Sequence, residues 1–168
     1  MPLNNFGSVL TFAIAQEGRL QRFYNTMTAV EGIDQPFIDA AQRYRERVDL
    51  LVQLQQEDLA HELSVPIVGL LSENYEPELR SDPIDRKMAL YQSVRMEQRA
   101  SRFYSDVAIK LHNPDVAELF RALAQQCLEG HRGAVFGACL EAILAVAAGL
   151  YQVIERIHHV VVIGSVVR

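Results

Sequence analysis

The chain has 168 residues, of which 49% are hydrophobic and 22% charged, so it should fold around a core rather than remain disordered. Its net charge is −5 and its 16 basic residues are scattered, which excludes the concentrated basic surface of a nucleic-acid-binding protein. Only 9 glycines and 6 prolines separate long segments of helical periodicity. We therefore expect an all-α protein.

The two cysteines indicate the cellular compartment of the protein. Cys127 and Cys139 lie 12 residues apart in a stretch of helical pattern, about 18 Å along a continuous helix and beyond disulfide reach. Two buried thiols in a reducing, cytoplasmic compartment are expected, and no signal peptide is predicted.

The most apolar region, 134–154, contains Glu141, and its longest uncharged run is too short to span a bilayer. A membrane-linked role is thus a minor alternative.

Apolar residues recur every three or four positions, which predicts five helices. Asn4 or Asn5 caps the first, and Asn113 before Pro114 starts the fourth. In the second helix the inward stripe passes through Tyr44, Val48 and Leu51 among others. The helices are predicted over about residues 5–29, 36–63, 83–111, 114 to beyond 131, and 138–159.

Four of these helices are predicted to form a bundle over residues 1–137, built from two helix pairs. Residues 64–82, which contain Pro66, Gly69 and Pro77, form a long crossover between the pairs, with a short helical turn at 67–71. Residues 138–168 supply an apolar fifth helix and a tail that pack on the bundle or on a second subunit. A homodimer through the bundle or the last helix is the expected assembly.

The segment ending at His61 contains a metal-binding pattern. Asp58 precedes His61 by three positions, a spacing that places both side chains on one face of a helix. Bundles that bind two metal ions use an acid-x-x-His pair on each of two helices and one Glu from each of the other two. Asp58 and His61 are therefore candidate metal ligands, and Glu57, four positions before His61, is a weaker one.

Glu17 interrupts the apolar stripe of the first helix, between Ile14 and Leu20. A buried carboxylate without a partner is very unfavourable, so Glu17 needs a counter-charge. A metal ion is one such partner. The alternative is a glutamate at the edge of the stripe that is exposed or paired with arginine.

The first helix pair recurs in the second half of the chain. Residues 17–24 align with residues 97–104, matching at Glu, two Arg, Phe and Tyr, and a Gln-Gln pair followed by histidine recurs 70 positions later. Glu97 and His131 thereby become candidate ligands at the centre of a pseudo-symmetric bundle. Leu128 aligns with Asp58, so the second acid is missing and one tighter and one weaker or empty metal site are predicted.

Tyr24 and Tyr104 lie two turns beyond the two glutamates on the same helix faces. They are candidates for hydrogen bonds to the carboxylates, and aromatic packing in the core is the alternative.

Residues 5–135 resemble the rubrerythrin branch of the ferritin-like superfamily, through Glu followed by Phe-Tyr in helices one and three and the acid-x-x-His of helix two. The resemblance implies a ferritin-like four-helix bundle with a non-haem di-iron site that reduces peroxide or oxidises ferrous iron. It implies Glu17, Asp58, His61, Glu97 and His131 as ligands of iron, with zinc or another divalent ion as alternatives. No Cys-x-x-Cys pair of the rubredoxin type is present, so an external electron donor is expected.

Two functions stay open from the residues alone. The first is an oxidoreductase or iron-handling protein with an incomplete di-metal site. The second is a degenerate ferritin-like protein that holds one metal ion or none and acts as a binding or scaffold module. The number of metal ions bound per chain distinguishes them.

Overall fold

The structure is a computed structural model that describes residues 1–28, 35–56, 65–76 and 86–130. Within these ranges the regular structure is helical, which confirms the all-α prediction. The described residues contain four α-helices, α1 (Phe6–Thr28), α2 (Gln35–Gln56), α3 (Arg86–Ala108) and α4 (residues 114–130), and one 3-10 turn at Ser72–Asn74. Along the described ranges, no helix combines the length and the apolar character needed to cross a membrane.

The chain divides into two compact units, Met1–Ala134 and Val135–Arg168, and every described residue belongs to the first. The predicted fifth helix and the predicted boundary after residue 137 lie outside the described residues. The homodimer stays a prediction.

Both predicted asparagine caps are present. At the start of α1, Asn5 Oδ1 accepts a hydrogen bond from Ser8 N at 2.7 Å. At the start of α4, Asn113 Oδ1 accepts hydrogen bonds from Asp115 N at 2.9 Å and from Val116 N at 3.3 Å. These side chains satisfy amide donors that the first turn of a helix leaves without a partner. The two helix starts are thus fixed by local sequence.

Aromatic rings from all four helices meet in one core. Each close pair adds about 0.5–1.5 kcal/mol beyond its burial, because ring edges carry partial positive charge and ring faces partial negative charge. The pairs that connect different helices include Tyr24 with Tyr44 at 5.2 Å between centroids, Phe12 with Phe103 at 5.1 Å, and Tyr104 with Phe120 at 5.6 Å. The core is therefore shared by α1, α2, α3 and α4.

The described part of the crossover, residues 65–76, is extended where a helical turn was predicted. Its backbone pairs with the start of the chain, since Leu3 N donates to Leu70 O at 3.0 Å and Ile67 N donates to Asn4 O at 2.9 Å. Gly69 has φ +84°, a left-handed conformation that a right-handed helix does not contain. The turn predicted at 67–71 is wrong, and the single helical turn lies at Ser72–Asn74.

The cap of α4 provides a test of this local encoding. Asn113→Ala should lower the free energy of unfolding by about 1 kcal/mol, because two amides lose their acceptor. Asn113→Asp keeps a side-chain oxygen and should retain most of the stability. Urea denaturation measures both, and equal stability of the two variants would contradict the capping role.

Candidate functional site

Each of the four helices places polar side chains in one buried group, here called the carboxylate cluster. The ionisable members are almost inaccessible to water, with exposed fractions of 0% for Glu17, 2% for Glu97, 4% for Arg47 and 0% for Cys127. The cluster consists of Glu17 and Tyr24 from α1, Tyr44 and Arg47 from α2, Glu97 and Tyr104 from α3, and Cys127 from α4.

Two tyrosines connect α1 and α3 reciprocally. The Tyr104 hydroxyl donates to Glu17 Oε1 at 2.5 Å, and the Tyr24 hydroxyl donates to Glu97 Oε1 at 3.3 Å. Glu17 and Glu97 are equivalent positions of the repeat, as are Tyr24 and Tyr104. Both possibilities that the sequence offered for these tyrosines are present, the hydrogen bonds to the carboxylates and the aromatic packing in the core.

Arg47 links three of the helices. Its Nη1 donates to Cys127 Sγ at 3.1 Å and lies 3.7 Å from Glu17 Oε2. Its Nε donates to Gln126 Oε1 at 3.2 Å, and its guanidinium carbon lies 5.0 Å from the centroid of the Tyr44 ring. Glu17 is therefore both buried and paired with arginine, which combines features of the two alternatives that the sequence left open.

Burial governs the ionisation of the two carboxyls. It raises the pKa of Glu17 to about 7, opposed by Arg47 and by the hydrogen bond from Tyr104, and the charge of Glu97 raises it further. The pKa of Glu97 is also raised by burial, against the opposing charge of Arg47 and the hydroxyls of Tyr44 and Tyr24. Two carboxyls thus compete for the charge of one buried guanidinium, and the exposed Arg43 adds a further opposing charge at Glu97.

One oxygen of each carboxyl lacks a hydrogen bond. In the part of the chain that the structure describes, neither Glu17 Oε2 nor Glu97 Oε2 accepts one, although both atoms are buried. Buried polar atoms normally have a partner. Glu17 Oε2 at least faces Arg47 at 3.7 Å, which leaves Glu97 Oε2 as the carboxylate oxygen with the least compensation.

Two of the predicted ligands, Glu17 and Glu97, lie in the carboxylate cluster. The other predicted ligands, Asp58, His61, His131 and the weaker Glu57, lie outside the described residues. Within residues 1–28, 35–56, 65–76 and 86–130, no three or more His, Cys, Asp or Glu side chains are grouped as a metal site requires. The complete metal site stays a prediction.

Leu128 does not face the carboxylates. It is 38% exposed, whereas its neighbour Cys127 is fully buried. Phe120, Leu123 and Cys127 are buried at spacings of three and four, so the inner face of α4 passes through residue 127. The prediction that Leu128 occupies a ligand position is therefore wrong, and the side chain that α4 directs toward the cluster is the thiol of Cys127.

Arg47 and Gly130 were missed from the sequence. Arg47 lies three positions after Tyr44 and four before Leu51, so it interrupts an apolar stripe as Glu17 does. The predicted stripe used Val48, which is only half-buried. Gly130 gives room to Glu97, because a Cβ at residue 130 would lie 2.8 Å from Glu97 Oε1. The charge pattern could have revealed Arg47, but nothing local reveals the contact of Gly130.

Comparisons with protein-family models, with curated proteins and with solved structures returned no match to this chain. The carboxylate cluster and the helical repeat are therefore the features from which its function is inferred.

The raised pKa of Glu17 predicts a pH-dependent stability difference between the metal-free wild type and Glu17→Gln. Below about pH 4.5 the carboxyl is protonated in both the folded and the unfolded chain, and its contribution to stability is fully present. As the pH rises to about 7, the unfolded chain releases its proton first. The wild type should then lose up to about 3 kcal/mol relative to the Gln variant.

Urea denaturation at a series of pH values, with chelator present, measures that difference in the free energy of unfolding. A difference that does not change with pH would contradict the raised pKa.

Two glycines form a matched pair for testing the packing of Glu97. At Gly18 an added Cβ would meet only Arg22 Nη1 at 3.7 Å, so Gly18→Ala should stabilise α1 by about 0.5–1 kcal/mol. At Gly130 the Cβ would lie 2.8 Å from Glu97 Oε1, so the buried Glu97 side chain must shift and Gly130→Ala should be less stable than Gly18→Ala. Chemical denaturation compares the free energies of unfolding of the two variants, and equal stabilisation by both would show that Glu97 does not occupy this space.

Proposed function

We propose that this protein is a ferritin-like metal-binding protein of the rubrerythrin type, in which the carboxylate cluster contributes to a site for divalent iron. The observation that carries the proposal is the burial of Glu17 and Glu97 beside a single guanidinium, that of Arg47. With both carboxyls ionised, the core holds two buried negative charges and one buried positive charge, and the exposed Arg43 acts on Glu97 from the surface. Such an imbalance is strongly unfavourable, and a cation or a proton relieves it.

We propose that the ion binds at the carboxylate of Glu97. Its Oε2 is buried and accepts no hydrogen bond from the described residues, as expected of an oxygen reserved for a cation. We propose that Asp58, His61 and His131 complete the set of donors, with Glu57 as a weaker candidate. Carboxylate and imidazole ligands suit iron, and zinc or another divalent ion can use the same set.

The spacing of the sequence supports these additional ligands. Leu51 and Leu54 are buried on α2, and continuing their spacing by four and then three positions reaches residues 58 and 61. His131 follows the buried Cys127 by four positions, the spacing that returns to the same face of a helix. This spacing is the sequence argument for including Asp58, His61 and His131 among the proposed donors.

Iron held at such a site supplies one-electron and peroxide chemistry. The proposed activity is peroxide reduction or ferrous iron oxidation, with electrons from an external donor. The chain's own tyrosines hold the carboxylates in place, since Tyr104 and Tyr24 each donate to an Oε1 atom and leave the Oε2 atoms without a hydroxyl. The surrounding aromatic core limits the access of water.

A metal-free scaffold or binding module is the second candidate, and Arg47 favours it. The guanidinium offsets one carboxylate, and a pKa of about 7 allows Glu17 to carry a proton near neutral pH. The cluster can then be neutral without any metal ion. A degenerate ferritin-like protein of this kind would retain the bundle and lose the redox chemistry.

Metal content distinguishes the two candidates. After anaerobic loading with Fe²⁺ and removal of free metal, the wild type should retain about one ion per chain, measured by plasma mass spectrometry. His61→Ala should weaken Fe²⁺ binding by more than about tenfold, because it removes an imidazole ligand. His112→Ala, which changes an exposed histidine outside the cluster, should match the wild type.

Retention of less than about half an ion per chain by the wild type would favour the metal-free module over a loaded site. Where iron is retained, its oxidation by added peroxide, followed by optical spectroscopy, tests the proposed oxidoreductase activity.

A further inference from the structure

We propose that Arg47 is a built-in cation that takes the place of one metal ion, so that the cluster binds a single divalent ion at Glu97 while Glu17 stays with Arg47. This inference rests on the proposed metal-binding function and specifies its stoichiometry and its asymmetry. It assigns to Arg47 a role in determining how many ions the site accepts.

The guanidinium of Arg47 is held firmly on the Glu17 side of the cluster. It donates to Cys127 Sγ and to Gln126 Oε1 on α4, and it faces Glu17 Oε2 on α1. The ring of Tyr44 lies within cation–π distance of the same guanidinium. Arginine keeps its proton in proteins, so this position carries a permanent positive charge.

The two carboxylates differ in the partners they already have. Glu17 accepts the short hydrogen bond from Tyr104 on one oxygen and faces Arg47 with the other. Glu97 accepts a longer hydrogen bond from Tyr24, at 3.3 Å, and the Tyr44 hydroxyl also stabilises its charged form. Among the described residues, no arginine or lysine forms an ion pair with Glu97. Arg47 and the exposed Arg43 act on Glu97 only from beyond ion-pair distance, so Glu97 is the one of the two carboxylates without a directly paired cation among the described residues.

The internal repeat shows that the difference between Glu17 and Glu97 arises from α2 and α4. The Glu and Tyr residues of α1 and α3 recur as equivalent pairs, and a symmetric bundle would offer two equivalent ion sites. The symmetry is broken on the other helices, where α2 contributes a guanidinium and α4 contributes a thiol. A second metal ion beside Glu17 would be repelled by Arg47, and it would compete with Arg47 for the same carboxylate oxygen.

The matched variants Glu17→Gln and Glu97→Gln test the asymmetry directly. Both remove one carboxylate charge at equivalent positions and preserve the shape of the side chain. Anaerobic titration with Fe²⁺, in competition with a chromophoric chelator, gives the dissociation constant of each folded variant. Glu97→Gln should weaken binding at least about tenfold more than Glu17→Gln, because only Glu97 holds the ion.

Removal of Arg47 tests the stoichiometry. Arg47→Met should raise the Fe²⁺ bound from about one to about two ions per chain, because Glu17 Oε2 and the Cys127 thiol lose their cation. Arg47→Lys keeps the charge and should stay at one ion. Arg45→Met, at an exposed position of the same helix, is the matched control and should also stay at one ion.

Circular dichroism establishes which variants fold, and if Arg47→Met does not, the two Gln variants decide the question alone. Equal losses in Glu17→Gln and Glu97→Gln, or a folded Arg47→Met that still binds one ion, would overturn the role of Arg47 and leave metal binding intact. A wild type that binds no Fe²⁺ would overturn the proposed function and this inference together.

Discussion

The burial of two carboxyls beside one guanidinium is the constraint on which the rest of the site depends. Glu17, Glu97 and Arg47 come from three different helices, and each is almost fully removed from water. Breaking a buried ion pair by removing one partner typically costs about 3–5 kcal/mol, because the other charge is left uncompensated. The packing of α1, α2 and α3 is consequently coupled to the charge state of these three groups.

A buried cluster of charges stabilises a fold less than an apolar core does, so its presence indicates a role other than stability. Well-packed hydrophobic residues in place of a buried ion pair are often neutral or stabilising. Here the reciprocal hydrogen bonds from Tyr104 and Tyr24 fix the orientation of both carboxyls, and the helical repeat supplies them from equivalent turns. A fixed pair of acidic groups in a dry core is suited to holding a cation, and the single guanidinium limits how much further charge the site can accept.

Much of the fold could be predicted from residue patterns because the signals are local. Asn5 and Asn113 cap helices through atoms only two or three residues away, and the apolar stripe that contains Glu17 follows from helix geometry alone. The helical turn predicted at residues 67–71 failed because its backbone bonds instead to the start of the chain, a partner more than sixty residues distant.

The site was only half predictable for a related reason. An acidic residue in an apolar stripe signals a buried charge, but its partner can come from any neighbouring helix. Arg47 was overlooked because the stripe of α2 was drawn through Val48, and a shift of one residue turns a helix by about 100°. On α4 the same one-residue error placed Leu128 on the face toward the cluster, where the structure has Cys127. Aligning the two halves of the repeat by Gln-Gln and His gave only an approximate rotation for each helix. The exact face that each helix directs inward is determined by packing in the core.

Anomalous X-ray diffraction from crystals of the iron-loaded protein tests the central claim most directly, because it locates metal ions independently of activity. We predict one anomalous peak in the bundle, bonded to the carboxylate of Glu97, with Arg47 still beside Glu17. A bundle without a peak, or a peak shared by Glu17 and Glu97 with the guanidinium displaced, would contradict it.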